Sequence, residues 1–349
     1  MHGEYKEPGQ KMAIVDVEVR DNKLANVRLS GDFFIEPDEA LWRITHALEG
    51  LPADTSGEDI AAHVEAAILP TDNMFGLTPQ GVAVAVRRAL GGALSWDAID
   101  FEVIHTPVIH PVLNMTLDET LPEAVARGER KPFLRIWEWD RPLVVMGSYQ
   151  SYSNEINQEG VDKWGITVGR RITGGGTMFM EPGNCITYSL VVPTALVEGM
   201  SFLQSYPFLD AWVIEALARV GVKAHYVPLN DIASDKGKIG GAAQKHFATG
   251  YMVHHVTLAY DIDADKMMDV LNMGDAGKNN RGHRSANKRV DPMKSQTGMA
   301  RDKIIEVFKA TFASKYGASE GHLTDEDLRI AQERYEEKFS KPEWIHRLP

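Results

Sequence analysis

Three consecutive glycines that follow a pair of arginines constrain this chain more than any other feature of its sequence. The run 169–179 reads Gly-Arg-Arg-Ile-Thr-Gly-Gly-Gly-Thr-Met-Phe and lies between stretches with the pattern of β-strands. Because glycine has no side chain, the backbone can turn sharply here and its N–H groups can approach a ligand. Arginine adds a permanent, forked cation that suits phosphate or carboxylate. The run therefore predicts an anion-binding loop, although a tight turn after two surface arginines would have the same composition.

A second segment, residues 230–244, carries similar chemistry. Asn230 and Asp231 precede a run in which Lys238 stands between Gly237 and the small residues 240–243. Small neighbours allow close approach by a ligand, so we expect a glycine loop whose lysine enters a narrow cleft. An exposed lysine that serves only solubility is the alternative. The first segment, 169–179, has the spacing neither of a Walker A loop nor of a dinucleotide fingerprint.

The two segments, in this order, resemble the catalytic domain of lipoate–protein ligases, which are relatives of the biotin–protein ligases. The resemblance begins near Asn114, includes residues 145–150 and 183–184, and extends past Thr257. It implies an ATP-dependent, AMP-forming enzyme that activates lipoate as lipoyl-adenylate and releases pyrophosphate. The lipoyl group then passes to a lysine of a carrier domain.

The resemblance also implies a role for individual residues of these blocks. Arg171, with Arg170 as its partner, would bind the anions of substrate and nucleotide. Lys238 would be the catalytic cation that bridges the acyl carboxylate and the α-phosphate. Asp231 would hold Mg²⁺ or orient the acceptor lysine, and Asn230 would fix its geometry, although an ordinary turn explains the same pair. The other predicted binding residues are Gly174, Gly175, Gly176, Thr177, Met178, Phe179, Asn184, Gly240, Ala242, His255 and Thr257.

The substrates and partners follow from the same resemblance. It implies lipoate and ATP with Mg²⁺, and no permanently bound cofactor. The acceptors would be lipoyl carrier domains of acyltransferase subunits or the glycine cleavage carrier protein, and the enzyme would be a monomer. Two alternatives stay open: an octanoyltransferase of the same fold that works through a cysteine thioester, and a non-catalytic carrier-binding protein.

The remaining composition excludes several classes of protein. The net charge of −12 argues against general binding to nucleic acid. No apolar stretch approaches the ~20 residues that span a bilayer. Cys185 is the only cysteine, so no internal disulfide is possible and we expect a reducing, cytoplasmic environment.

The order of the predicted elements divides the chain into two domains. A hairpin over 14–29 and helices over 37–48, 56–69 and 79–90 predict a small α+β domain over 12–95, which resembles the accessory domain of lipoate ligases. In the commoner family order that domain follows the catalytic domain. We expect a linker over 96–112 and the catalytic domain over 113–349, with a mixed sheet and flanking helices. The predicted strands are 133–137, 143–147, 166–171, 185–192 and 250–260, and the predicted helices are 208–220, 264–271, 300–316 and 325–339.

Three further features carry weaker interpretations. His254 and His255 are adjacent, so on a strand they face opposite sides, and we expect one to pack and the other to approach the pocket. A basic cluster over 278–289 suits either a solvated loop or a segment that closes over the adenylate. Met180 stands where many relatives have histidine, a difference for which the sequence offers no reason.

Overall fold

A computed structural model describes residues 1–262, 264–272 and 290–348 of the chain. The basic cluster over 278–289 lies outside the described residues. The chain divides into two compact units, one formed by Met1–Ile99 with Thr194–Ala211 and the other by Asp100–Pro193 with Trp212–Pro349. Within the described ranges, no helix combines the length and the apolar composition needed to cross a bilayer.

The first unit is a small α+β structure around the predicted hairpin. Its antiparallel sheet has the order β1-β2-β3, and a second sheet pairs β4 with β5. The strands are β1 (His2–Lys6), β2 (Met12–Arg20), β3 (Lys23–Gly31), β4 (Phe34–Glu36) and β5 (Asn73–Phe75). The helices are α1 (Glu39–Leu48), α2 (Gly57–Ala67) and α3 (Pro79–Gly91).

The helix starts in this unit follow the predicted capping pattern. The Ser56 side chain accepts a hydrogen bond from the Asp59 N–H, and the Thr78 side chain accepts one from the Gly81 N–H. The α3 helix ends one residue later than predicted, because Gly92 and not Gly91 adopts the left-handed conformation, with φ of 65°.

A buried arginine explains why Thr194–Ala211 belongs to the first unit although it is distant in sequence. Arg88 is 2% exposed, and its Nη1 donates to the Leu196 carbonyl at 2.7 Å. Its Nη2 donates to the Leu94 carbonyl at 2.8 Å, and its Nε donates to the Glu4 carbonyl at 2.7 Å. The unit therefore extends beyond the predicted bounds of 12–95, since the partners of Arg88 lie on both sides of that range.

The second unit confirms the predicted mixed sheet with flanking helices. Eight strands pair in the order β12-β13-β14-β15-β11-β7-β6-β16, and three others in the order β10-β8-β9. The ladder from β12 to β7 is antiparallel, whereas β6 runs parallel to β7 and to β16. The strands are β6 (Glu102–His105), β7 (Phe133–Ile136), β8 (Leu143–Met146), β9 (Thr167–Arg170), β10 (Met178–Met180), β11 (Cys185–Pro193), β12 (His225–Val227), β13 (Asp231–Ser234), β14 (Gly237–His246), β15 (Tyr251–Ala259) and β16 (Ser319–Gly321).

Nine helices accompany these strands among the described residues. They are α4 (Pro111–Ala126), α5 (Tyr152–Glu155), α6 (Gln158–Trp164), α7 (Phe202–Arg219), α8 (Ala264–Val270), α9 (Met293–Thr297), α10 (Arg301–Tyr316), α11 (Asp325–Arg334) and α12 (Pro342–Ile345). The residues of α7 before Trp212 belong to the first unit. A π-helical turn over Tyr335–Phe339 continues α11.

Three predictions for this unit are corrected. The stretch 96–112, predicted as a linker, contains β6, whose four residues are too short to show periodicity and gain their stability by pairing on both sides. The helix predicted from 208 begins at Phe202 and contains Pro207. The predicted glycine loop around Lys238 is the strand β14, because pairing with β13 and β15 on its two sides outweighs the low strand propensity of glycine.

Candidate functional site

A cleft in the second unit brings together most of the predicted site residues. Its volume is about 530 Å³, and it lies where the glycine loop between β9 and β10 meets β11, β14 and β15. The predicted residues that line it are Arg171, Gly175, Gly176, Met178, Asn230, Lys238, Ala242, His255 and Thr257. Trp137, Val145 and Met180 add apolar surface, and Thr187, Gly241 and Ala243 complete the lining.

A second cleft of about 490 Å³ shares Met178 and Lys238 with the first. The predicted residues Thr177, Phe179 and Gly240 line this second cleft. Its remaining lining is entirely apolar and consists of Ile239, Ala259, Ile262, Met267, Leu271 and Val290. Lys238 therefore lies at the junction of a cleft with mixed lining and an apolar one.

Lys238 reaches the junction from β14 as one half of an ion pair. Its Nζ lies 2.9 Å from Asp231 Oδ1, and the two side chains are 15% and 7% exposed. Asp231 is on the neighbouring strand β13, where a register shift between Ile232 and Ala233 marks a bulge. Gly241 leaves room for this pair, because a Cβ there would lie 3.0 Å from Lys238 Nζ. The pair holds the ammonium in a fixed place at the cleft wall.

Asn230 fixes the start of β13. Its Nδ2 donates to the Ala242 carbonyl at 2.7 Å, and the Ala242 N–H donates to the Asn230 carbonyl at 2.9 Å. These bonds tie the residue before Asp231 to β14, so the geometry of the Asp231–Lys238 pair is set by the backbone of both strands.

Arg171 lines the first cleft and shapes the glycine loop. Its Nη2 donates to the Gly174 carbonyl at 2.6 Å and to the Gly176 carbonyl at 2.9 Å. Its Nε donates to Thr173 Oγ1 at 2.9 Å. Gly175, between the two accepting carbonyls, has φ of 93°, which favours glycine. The loop is therefore wound around a guanidinium, which also presents a positive charge to the cleft.

Arg170 faces away from the cleft, since adjacent residues of extended backbone point to opposite sides. It is fully buried, and its Nη1 donates to the carbonyls of Gly147 and Gln150 at 3.0 and 2.7 Å. Its Nε and Nη2 both donate to the Ile345 carbonyl. Arg170 was predicted to bind an anion. In the structure its guanidinium instead binds backbone carbonyls, including that of Ile345.

Three other predicted residues, Asn184, Gly174 and Asp231, are also absent from the two cleft linings. Asn184 stabilises the turn between β10 and β11, because its Oδ1 accepts from the Glu181 N–H and its carbonyl accepts from the N–H groups of Tyr260 and Asp261. Gly174 lies beside the exposed ring of Tyr149. Asp231 acts on the cleft through Lys238.

The two adjacent histidines divide as predicted. His254 is fully buried, whereas His255 lines the first cleft. His255 Nδ1 lies 2.7 Å from Asp118 Oδ2, and its Nε2 lies 2.8 Å from Thr173 Oγ1. Burial lowers the pKa of His255, and the hydrogen bond to Asp118 opposes the shift without cancelling it.

Sequence reasoning missed the polar groups beneath this histidine. Asp118 is on α4 and receives hydrogen bonds from Arg135 Nη2 at 2.7 Å and from the Ser189 hydroxyl at 2.6 Å. Burial alone would raise its pKa, but the hydrogen bond from His255 and the charge of Arg135 outweigh burial and lower it. The signal in the sequence was the pair of adjacent carboxylates Asp118 and Glu119 in the otherwise uncharged stretch 112–121.

The single cysteine is part of the core. Cys185 is fully buried at the start of β11, and burial raises the pKa of its thiol to about 12. A nucleophilic cysteine requires an accessible thiolate, so Cys185 does not meet the requirement of the thioester route.

The side chains around the clefts offer few ligands for a metal ion. Among residues 1–262, 264–272 and 290–348, no group of three His, Cys, Asp or Glu side chains could hold one. Besides Asp118 beneath His255, two carboxylates touch cleft residues: Asp231 at Lys238, and Glu155, whose Oε2 lies 3.1 Å from Thr177 Oγ1. Mg²⁺ bound mainly by nucleotide phosphates needs only one or two carboxylates, so the residues present fit Mg²⁺ that arrives with a nucleotide.

Comparison with known proteins agrees with the resemblance seen in the sequence. The profile of the lipoyl protein ligase A/B catalytic domain matches residues 110–313, more than half of the chain. The probable lipoate-protein ligase A of Mycoplasma pneumoniae is 26% identical over 69% of this chain and 70% of its own. The octanoyltransferase LipM of an Exiguobacterium species is 24% identical over 70% of this chain and 97% of its own.

A solved structure confirms the fold. The crystal structure of a lipoate-protein ligase A bound with ATP superposes with a TM-score of 0.58 at 23% identity. The match covers 72% of this chain and 99% of the other. The predicted lipoate ligase-like fold of the catalytic region is therefore confirmed.

Proposed function

The chain belongs to the lipoyl protein ligase A/B catalytic-domain family, and from that premise we propose that it is an ATP-dependent lipoate–protein ligase. The observation that carries this proposal is the position of Lys238 at the junction of the two clefts, in a chain whose only thiol is buried. A cation at such a junction can contact two substrates at the point where they react.

We assign the acyl chain of lipoate to the first cleft. Trp137, Val145, Met178 and Met180 provide apolar surface, and methionine adapts its shape to a ligand. The carboxylate of the acid would then point to Lys238. We assign the adenosine of ATP to the second cleft, whose lining contains Phe179 and five aliphatic or methionine side chains beyond β14.

The first half-reaction then follows from the charges at the junction. A lipoate carboxylate oxygen attacks the α-phosphorus, a new P–O bond forms, and pyrophosphate leaves with the electron pair of the bond that breaks. Negative charge grows on the phosphoryl oxygens during this step. The Lys238 ammonium stabilises that charge from a preorganised position beside Asp231. Bound Mg²⁺ would neutralise charge on the departing pyrophosphate.

The second half-reaction transfers the acyl group. The amine nitrogen of an acceptor lysine attacks the acyl carbonyl carbon, the bond to the phosphate oxygen breaks, and AMP leaves while the amine loses a proton to water. Asp231, held by Lys238 and by the backbone at Asn230, is the proposed group that orients this lysine. The acceptor would be a lipoyl carrier domain, and the reaction would take place in the cytoplasm.

The octanoyltransferase is the second candidate, because a relative of that name covers as much of the chain as the ligases do. It would transfer octanoyl from a carrier protein without ATP. The high pKa of Cys185 and its burial in β11 favour the ligase.

One experiment separates the two candidates. The full-length protein is incubated with a lipoyl-type acceptor domain and lipoate, with and without ATP and Mg²⁺, and then with an octanoyl-loaded carrier protein alone. A ligase adds one lipoyl mass only when ATP is present and releases pyrophosphate. Acyl transfer from the loaded carrier without ATP would contradict the proposal.

A further inference from the structure

We propose that Thr173 is a positioning residue that holds the Arg171 guanidinium in place, and that Asp118 supports Thr173 through His255. Four side chains form one line of hydrogen bonds, from Asp118 to His255 at 2.7 Å, from His255 to Thr173 at 2.8 Å and from Thr173 to Arg171 at 2.9 Å. This Asp118–His255–Thr173–Arg171 relay joins α4, β15 and the loop after β9. Its value for catalysis rests on the proposed function of the cleft.

The direction of each hydrogen bond follows from the chemistry of the groups. The Arg171 Nε–H can only donate, so Thr173 Oγ1 accepts there. The Asp118 carboxylate can only accept, so His255 Nδ1–H donates to it, and in a neutral imidazole Nε2 then accepts the Thr173 hydroxyl proton. Every group thus has one role, and the relay requires the neutral imidazole with its proton on Nδ1.

The far end of the relay is rigid. Asp118 is 2% exposed, and its Oδ1 is fixed by Arg135, which is fully buried, and by Ser189. Arg135 Nη1 also donates to Asn114 Oδ1 at 2.7 Å, and the Trp137 indole N–H donates to Ser189 Oγ at 2.8 Å. The carboxylate therefore cannot move without disturbing α4, β7 and β11 together.

The near end of the relay is the glycine loop. Because a guanidinium is planar, fixing its Nε direction also fixes the direction of its Nη atoms. Those atoms hold the Gly174 and Gly176 carbonyls at 2.6 and 2.9 Å. The relay thus links α4 to the glycine loop that lines the cleft. Thr173 is 1% exposed and lines neither cleft, so it can act on the cleft only through Arg171.

The decisive variant is Thr173→Val, which keeps the shape of the side chain and removes the hydroxyl. We expect kcat for pyrophosphate release to fall by about 10- to 100-fold, the scale seen when a group that orients a functional residue is lost, with little change in the KM for lipoate. Thr173→Ser should restore most of the activity. Thr311→Val is the matched control, since its hydroxyl is also buried but donates to the Val307 carbonyl within α10.

A double-mutant cycle tests whether Thr173 works through Arg171. If it does, Thr173→Val should lower kcat only slightly further in a protein that already carries Arg171→Lys, because the forked guanidinium is already lost. Full kcat in Thr173→Val, or additive losses in the double variant, would overturn the relay.

The relay can still be tested if Thr173→Val does not fold or if the wild-type protein releases no pyrophosphate. If Thr173→Val does not fold, the imidazole ¹⁵N shifts of the wild-type protein test the relay, which requires Nδ1–H on His255 and is overturned by Nε2–H. If the wild-type protein releases no pyrophosphate, the proposed function has failed. The Thr173 variants are then compared in octanoyl transfer, where the relay predicts the same loss in kcat and equal rates would contradict it.

Discussion

Two glycine-rich segments border the same cleft, yet they use glycine for different physical reasons. In the loop over 174–176, Gly175 has a positive φ, and the backbone bends around Arg171. In β14, Gly240 belongs to a regular ladder, but a Cβ there would lie 2.5 Å from Leu258 Cδ2 and 2.6 Å from the Thr257 carbonyl oxygen. The first segment needs conformational freedom, and the second needs close packing.

The comparison shows how composition alone misleads. Both segments have small residues next to a cation, and both were expected to be loops. Arg171 donates to the backbone of its own loop, whereas Lys238 in β14 forms an ion pair with Asp231 on the neighbouring strand. A glycine-rich strand can therefore place a lysine as firmly as a folded loop places an arginine.

The largest effect on activity is expected when the ammonium of Lys238 in β14 is removed. Lys238→Ala should reduce adenylate formation by about 10²-fold or more, the scale for loss of a preorganised partner of a developing negative charge. Lys238→Arg should restore little, because a planar fork does not replace a compact ammonium. Pyrophosphate release measures both variants, and full activity in Lys238→Ala would contradict the assignment.

Stability provides the control for that variant. Because Asp231 is 7% exposed and loses its ion-pair partner, Lys238→Ala should also lower the melting temperature. Adding Asp231→Asn should restore melting without restoring activity. A loss of activity that returned together with the melting temperature would point to a structural role alone.

Next in size is a contrast between two glycine substitutions. Gly175→Ala places a Cβ 2.9 Å from Arg171 Nη2 at a strained φ, and Gly240→Ala overpacks the sheet. Each should cost on the order of 1–3 kcal/mol. For a similar loss in melting temperature, we expect Gly175→Ala to lower kcat more than Gly240→Ala does, because only Gly175 contacts the Arg171 guanidinium. The reverse pattern in paired kinetic and thermal measurements would overturn the comparison.

A smaller effect concerns pH. Burial lowers the pKa of His255 below its ordinary value of 6.5, so the unfolded chain takes up a proton first as the pH falls. The stability that neutral His255 contributes is therefore complete above about pH 6.5 and is lost as the pH falls through the lower pKa of the folded chain. Urea unfolding between pH 7.5 and 5 should show this loss, and a His255→Gln variant should show a shallower slope. An unchanged slope would exclude His255 as its source.

The smallest effect is expected at the cysteine. Cys185→Ser should leave ligation within about twofold of the wild-type rate, because the thiol is buried and its pKa is about 12. The assay is lipoylation of the acceptor domain with ATP, with a melt of the variant as control. Loss of acyl transfer in a folded Cys185→Ser protein would favour the thioester route.

The sequence predicted the fold class and most long elements because their patterns are local. The hairpin, the caps at Ser56 and Thr78 and the strands β7, β8, β9, β11 and β15 can each be recognised within about ten residues. Short elements such as β6 and β16 could not be predicted, because they are stabilised by neighbours more than 200 residues apart in the chain.

The residues of the candidate site also differ in whether a short stretch of sequence reveals them. Lys238, Arg171 and the glycines were recognised from two short segments that resemble a family. Asp118 and Thr173 were not, because the relay joins positions 118, 173 and 255, whose contact no spacing reveals. The separation of Arg170 from Arg171 could have been foreseen, since neighbours in a strand face opposite sides.

The hydrogen bonds of Arg170 make residues 344 and 345 part of the structure that supports the cleft. The Ile345 carbonyl accepts from Arg170, and the Trp344 indole N–H donates to the Arg170 carbonyl at 2.8 Å. These residues lie beyond position 313, where the match to the family profile ends. Trp344→Phe would therefore remove a hydrogen bond from the backbone of Arg170, the residue next to Arg171. Positions 344 and 345 thus give access to the backbone of the glycine loop without any change to the side chains that line the cleft.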